Sequence, residues 1–375
     1  MLGQYTTYIR NREGVFTHRL TDITSVKLLE KLNAVGSWLI NSTTPEKPPF
    51  EAGDGIVILK NGAVYYSGVL SKVSYEYDGY NRLYQWSTSG GNDLVYLSRR
   101  VCHPDPVSLM TDSESHYTDS GPLGEVLARL IDINAGVTAQ PTRRIPFLEA
   151  TVVKNAGQNV SVSLRFDNLL TVVAKLLNEQ DFVIRPVWDP AAKKLHYEIS
   201  AGADASDKLV FSTALNQIRK LSYSLMAPTG NYVISAGKGV KTDRYFCYAE
   251  NADSMEQWGR VEAYHDMRAV NDSDLQADAD AYLANSQTNE GYSAELSSNV
   301  VGGYKKVWNL GDDVGIVVDG KTYRSRLLQV DTNLQYDEET ISPTVGTVEK
   351  GQLNPIFQQL DGLRSDVNQL LKVSD

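Results

Sequence analysis

At 375 residues and 42 % apolar composition, the chain is long enough for two to four domains with real cores. Its 36 basic and 46 acidic residues leave a net charge of −10. That argues against a phosphate-binding groove, because nucleic-acid binders show a basic surplus or stripe. Cys102 and Cys247 lie far apart and form no C-x-x-C motif, so a disulfide scaffold is not expected and both read as buried thiols.

The start, Met1-Leu2-Gly3-Gln4-Tyr5, has neither the charged head nor the apolar core of a signal peptide. No run approaches the roughly 18 apolar residues of a membrane helix. A soluble, cytoplasmically made chain is expected. Tyr5 to Ile9 and Phe16 to Leu20 flank Asn11-Arg12-Glu13-Gly14 and read as a hairpin. Gly55 to Leu59, the turn dipeptide Asn61-Gly62, and the alternating run Val64 to Tyr77 read as another. Asn-Gly is the strongest short hairpin signal, because a type I′ turn needs positive φ at both central residues. Arg82 to Ser89 alternates and stops at Gly90-Gly91.

Pro104, Pro106 and the polar stretch Thr111 to Ser120 read as a linker or long loop. Leu123, Val126, Leu127, Leu130 and Ile131 then fall at helical spacing, with Ser120 as the expected N-cap. A second helix starts near Asp167, with Leu169, Leu170, Val173, Leu176 and Leu177 on one face. Phe182 to Val187 and Leu195 to Ile199 read as strands joined through Asp189-Pro190. Strand signals return at Leu209 to Phe211, Leu221 to Leu225, Tyr232 to Ala236 and Tyr245 to Tyr248. A helix is expected over Ser273 to Ala284, with Leu275, Ala279, Tyr282 and Leu283 facing inward. Tyr292 to Leu296, Asp313 to Val318 and Thr322 to Gln335 complete the strands.

One pattern occurs twice. Gly53-Asp54, an apolar run, Asn61-Gly62, then Tyr65, Ser67 and Leu70 match Gly311-Asp312, an apolar run, Asp319-Gly320, then Tyr323, Ser325 and Leu328, each pair 258 residues apart. Turn chemistry alone requires neither the Gly-Asp before the first strand nor the Tyr-x-Ser after the turn. A duplicated β-domain is therefore expected at the two ends of the chain, with a small α/β domain between. The expected fold is α+β, mainly β. It comprises a first β-barrel domain over 1–110, an inserted α/β domain over 111–205, and a second β-barrel domain over 206–350 with a helical insertion around 273–284. A C-terminal helix over 351–375 completes it. In that last segment Ile356, Leu360, Leu363, Val367 and Leu370 recur at steps of four and three, the spacing of a heptad seam.

This element order, with Val210-Phe211-Ser212, Asn231-Tyr232-Val233, the Leu310-Gly311-Asp312 hairpin and Pro343-Thr344-Val345-Gly346, resembles the tail-tip or baseplate-hub proteins of tailed bacteriophages. The likeness is strongest to siphovirus minor tail proteins, and it covers residues 5 to 348. It implies a homotrimer in which two similar barrels per chain form a pseudo-sixfold ring at the tail tip of the virion. It further implies as partners a hexameric distal tail or tail-tube protein, the tape-measure protein C-terminus, and a tip fibre or receptor-binding protein. DNA would be met only in passage. The chain stops at Asp375, where relatives often carry a peptidoglycan-cleaving domain.

Catalytic patterns are weak. His18, His103, His116, His196 and His265 are scattered without metal-ligand spacing. Cys102-His103 are neighbours and would point to opposite faces of a strand. No G-x-S-x-G elbow occurs, and Gly237-Lys238-Gly239 reads as a turn rather than a phosphate loop. Asp272, Asp274, Asp278 and Asp280 cluster without the Gly and Glu of a calcium loop. Trp38, Trp86, Trp188, Trp258 and Trp308 are dispersed and read as core or interface residues. No cofactor and no enzyme activity are expected. The plentiful acids leave one alternative open, a carbohydrate-binding or glycan-cleaving tail protein with a carboxylate pair.

Overall fold

The computed structural model describes residues 4–109, 115–239, 243–267, 275–286, 289–296, 303–335 and 338–346. The chain divides into two compact units, the larger from 1–220 and 294–346, the smaller from 221–293 between them. In chain order the larger unit opens with seven strands, β1 (Tyr5–Arg10), β2 (Phe16–Leu20), β3 (Ile23–Lys31), β4 (Ala34–Thr44), β5 (Gly55–Lys60), β6 (Ala63–Asp78) and β7 (Leu83–Asn92). An α/β segment follows, with α1 (Val95–Ser98), β8 (Tyr117–Pro122), α2 (Leu123–Ala135), β9 (Val152–Val153), β10 (Asn159–Leu164), α3 (Leu169–Glu179), β11 (Phe182–Asp189) and β12 (Lys194–Ala201). Next come β13 (Val210–Ser212) and β14 (Ile218–Met226). The smaller unit holds β15 (Tyr232–Ala236), β16 (Phe246–Glu250), α4 (Ala252–Trp258), β17 (Glu262–Asp266) and α5 (Leu275–Asn285). The chain then returns through β18 (Asn289–Leu296), β19 (Asp313–Val318), β20 (Lys321–Gln335) and β21 (Glu338–Gly346).

The strands at the two ends of the chain are mainly β, as expected, but no closed barrel forms among the described residues. They lie instead in one sheet, ordered β21-β20-β3-β4-β7-β6-β5-β1-β2, with β19 also paired to β20. The seam between the halves is β20 against β3, with Leu334 opposite Val26 and Thr332 opposite Leu28. Alternation decides which face is buried. Val26, Leu28, Trp38 and Ile40 are almost wholly covered, while Lys27 and Ser37 between them are exposed.

The α/β segment packs α2 and α3 on β11 and β12 in one core with Leu127, Ile131, Val173, Ile184, Trp188 and Tyr197. Val57 and Leu94 belong to the same core, so the segment is welded to the first run of strands. Each such buried aliphatic stabilises by about 1.5–3 kcal/mol. Two expectations are corrected here. Tyr117–Pro122 is a strand, antiparallel to β10, and not the end of a loop. The N-cap of α2 is accordingly Pro122, with no side-chain cap, and not Ser120. The N-cap of α3 is Asn168, whose side chain accepts from the Thr171 N–H.

Over 206–350, read from sequence as one domain, the middle forms a unit of its own. β15 lies between antiparallel β16 and parallel β17, and α5 covers one face through Leu275 and Ala279 against Val233 and Cys247. Asp272 and Asp274, and the heptad residues Ile356, Leu360, Leu363, Val367 and Leu370, lie outside the described residues.

Candidate functional site: two hairpins and the polar face they share

Both hairpins turn on left-handed pairs, Asn61 (φ 51°) with Gly62 (φ 81°) and Asp319 (φ 49°) with Gly320 (φ 78°). Both are entered through a left-handed glycine, Gly53 (φ 93°) and Gly311 (φ 89°). The following aspartates are buried and do the same work. Asp54 accepts from the Glu51 N–H at 2.8 Å, and Asp312 accepts from the Asn309 N–H at 2.7 Å. Burial raises the Asp54 carboxyl above its ordinary value, opposed by the hydrogen bond from Glu51. The Asp54 carbonyl accepts from the Leu70 N–H at 2.9 Å, and the Asp312 carbonyl from the Leu327 N–H at 2.9 Å.

That last pair corrects the alignment read from sequence. Ile58 faces Tyr66 while Leu59 faces Val64, so a bulge ejects Tyr65 in the first hairpin. The second hairpin runs without one. Past this point the equivalent residues are therefore 257 apart. Leu70 matches Leu327, and Ser67 stands where Arg324 does. The match continues further than the sequence pattern reached. β6 bulges between Leu70 and Lys72 against β7, and β20 bulges between Leu327 and Gln329 against β21. Trp38 lies opposite Gly90 as Ala294 lies opposite Val345.

The outward face of the joined sheet follows from the registers. Asn333, Lys27, Leu39, Ser89 and Lys72 form one row across five strands. Gln335, Ser25, Asn41, Ser87 and Ser74 form the next. A shallow trough on this face is lined by Lys27, Ser37, Ser89 and Asn333 together with Leu29 and Leu39. Its lysines, Lys27, Lys31 and Lys72, are interspersed with the carboxylates of Glu76, Asp78, Asp331 and Glu338. On the inner side Trp38 presses on the glycines of neighbouring strands. A Cβ on Gly90 would meet the Val69 carbonyl oxygen at 1.8 Å and the indole nitrogen at 2.7 Å.

Ion pairs and rings tie the halves together. Lys60 reaches Glu339 at 2.6 Å, and Tyr5 donates to the same carboxylate. Lys305 pairs with Glu30 at 2.8 Å and sits 4.4 Å from the centre of the Tyr65 ring. Burial above all pushes the Tyr5 and Tyr65 phenols up, so both stay neutral. In the second half Arg326 joins Asp313 at 2.9 Å and Asp181 at 2.7 Å.

The residues weighed for chemistry are kept apart. Cys102 is wholly buried and its thiol is pushed up to about 12 by burial, which removes the thiolate a nucleophile needs. The Nδ1 of His103 instead accepts from the Asp105 N–H at 3.1 Å. No group of three metal-ligating side chains occurs among the described residues. Trp38, Trp86, Trp188 and Trp308 are buried, and Trp258 is partly exposed. No helix of the described residues is long and apolar enough to cross a membrane.

Comparison with solved structures places this fold among phage tail proteins. The 43 kDa tail protein of prophage MuSo2 from Shewanella oneidensis superposes with a TM-score of 0.56 at 10 % identity, covering 91 % of this chain and 96 % of that one. A tail protein from Neisseria meningitidis MC58 gives 0.56 at 12 %, covering 92 % and 98 %. The prophage tail protein gp18 from Listeria monocytogenes EGD-e gives 0.55 at 14 %, covering 96 % and 99 %. Comparison with curated proteins gives no match. The Siphovirus ReqiPepy6 Gp37-like protein family matches residues 6–347, nearly the whole chain, and the chain belongs to that family of phage tail proteins.

Proposed function

We propose that this chain is a structural hub subunit of the tail tip or baseplate, acting as a homotrimer. Three chains, each with two equivalent modules, present six similar surfaces to a sixfold tail tube. The ring joins the tube to the tip and lines the channel through which DNA leaves. One observation carries this reading. Two modules built on equivalent hairpins join in one sheet along the β20–β3 seam, and the outward face they share intersperses lysines with carboxylates. A lumen of that kind holds no phosphates, whereas one lined with Lys and Arg would bind and retard the DNA.

The role is architectural, and catalysis plays no part in it. The partners are the hexameric distal tail or tail-tube protein on one side and a tip fibre or receptor-binding protein on the other, with the tape-measure C-terminus ending above the channel. The seam Ile356, Leu360, Leu363, Val367 and Leu370 supplies a three-helix bundle on the axis. Sedimentation equilibrium of the purified chain tests the assembly. A species of three chain masses is expected, and a chain that stays monomeric throughout would defeat the reading.

A further inference from the structure

Buried tyrosine and tryptophan side chains normally bring their polar tips to a partner. The Tyr66 hydroxyl and the Trp188 indole N–H are buried and have no partner among the described residues. The side-chain oxygen of Asn92 is in the same position. Tyr66, Asn92 and Trp188 are only 4 %, 6 % and 2 % exposed, and all three line one cavity of 220 Å³ within the larger unit. A buried polar atom without a hydrogen bond is costly, so three around one space point to a shared partner.

The cavity lies where three parts of the larger unit meet. One wall is β6 from Val64 to Ser67, and another is β11 from Ile184 to Trp188. Among the described residues each stretch has a ladder partner on one edge alone. That partner is β5 for β6 and β12 for β11, since β7 joins β6 only from Gly68. Side chains serve part of the open edges. Asn33 accepts from the Ile184 N–H at 3.0 Å and donates to the Phe182 carbonyl at 2.9 Å. Lys305 donates to the Tyr65 carbonyl, and Pro186 has no N–H to leave unpaired. The returning chain supplies the third wall, where Tyr304 donates to Glu30 at 3.0 Å beside the Lys305–Glu30 pair. The second hairpin has no such enclosure at the same place. Tyr323 faces Ile316 as Tyr66 faces Ile58, yet Tyr323 is only half-buried.

We infer that this cavity is a water site, holding an ordered cluster that bonds Tyr66, Asn92 and Trp188 and joins the first hairpin to the α/β segment. The mix of groups selects such a partner. The Trp188 nitrogen only donates, the Asn92 oxygen only accepts, and the Tyr66 hydroxyl does either. Glu30 and Lys305 neutralise each other, so neither calls for an ion. The volume lies below the ~300–1,000 Å³ of small-molecule pockets. At liquid density it takes about seven waters.

A crystal structure of the full chain, at a resolution that shows water, tests this beside a second crystal held under xenon. Xenon enters dry apolar cavities and is expected to stay out of this one. Waters are expected within hydrogen-bond distance of Tyr66 Oη, Asn92 Oδ1 and Trp188 Nε1. Tyr66→Phe separates a wet site from a dry one in solution. If water serves the hydroxyl, its removal relieves nothing, and Tm stays level or falls. If the hydroxyl is buried dry, its removal lifts a penalty and Tm rises. A raised Tm, xenon in the cavity, or an organic molecule or protein group bonded to these three atoms would overturn the inference.

Discussion

Asp93 has no exposed surface and Arg10 has 1 %. The two form a buried ion pair, completed by the Ser67 hydroxyl donating to Asp93 at 2.6 Å and Tyr197 donating to its carbonyl at 2.9 Å. The guanidinium lies 4.2 Å from the centre of the Trp188 ring, so the pair links β1, β7 and the α/β segment. Replacing such a pair by apolar residues can be harmless, but removing one partner strands a charge. Asp93→Ala should therefore cost about 3–5 kcal/mol in urea unfolding, and a loss under about 1 kcal/mol would show that water reaches Arg10. Nothing local in the sequence marks a pair 83 residues apart. Turn residues are different, because their backbone demand is local, and Asn61-Gly62 and Asp319-Gly320 are legible for that reason.

The two turns offer a clean comparison between elements. A Cβ on Gly62 or on Gly320 would meet nothing within 4 Å, so substitution there reports backbone strain alone. Gly62→Ala and Gly320→Ala should each cost about 1–2 kcal/mol. Thermal unfolding of the two variants should show similar losses, and no loss at either would contradict the left-handed turns. The helices α2, α3 and α5 are legible because apolar residues recur at helical spacing over three turns. β3 and β4 are harder to see, since Lys27 and Lys31 on the outward face and Glu30 on the inner one break the apolar pattern of β3. β8 is harder still. Its Tyr-Thr-Asp-Ser-Gly-Pro sequence is polar throughout, and what makes it a strand is β10, contributed from beyond α2.

At the scale of the molecule, the repeat was visible in sequence but its arrangement was not. Two similar halves suit two closed barrels equally well as one shared sheet. The choice rests on the β20–β3 pairing and on Lys60–Glu339 and Lys305–Glu30, contacts 279 and 275 residues apart. The bulge at Tyr65 likewise escapes a residue-by-residue match, which is why the sequence alignment of the halves slips by one beyond the turn. The shared sheet gives the chain one long, largely polar face, which in the proposed ring would line the channel. Electron cryomicroscopy of the purified chain tests this most directly. The account predicts a threefold ring of six near-equivalent modules, with Ser37, Ser89 and Asn333 facing the central opening. A ring with that face turned outward, or an opening lined by arginine and lysine, would contradict it.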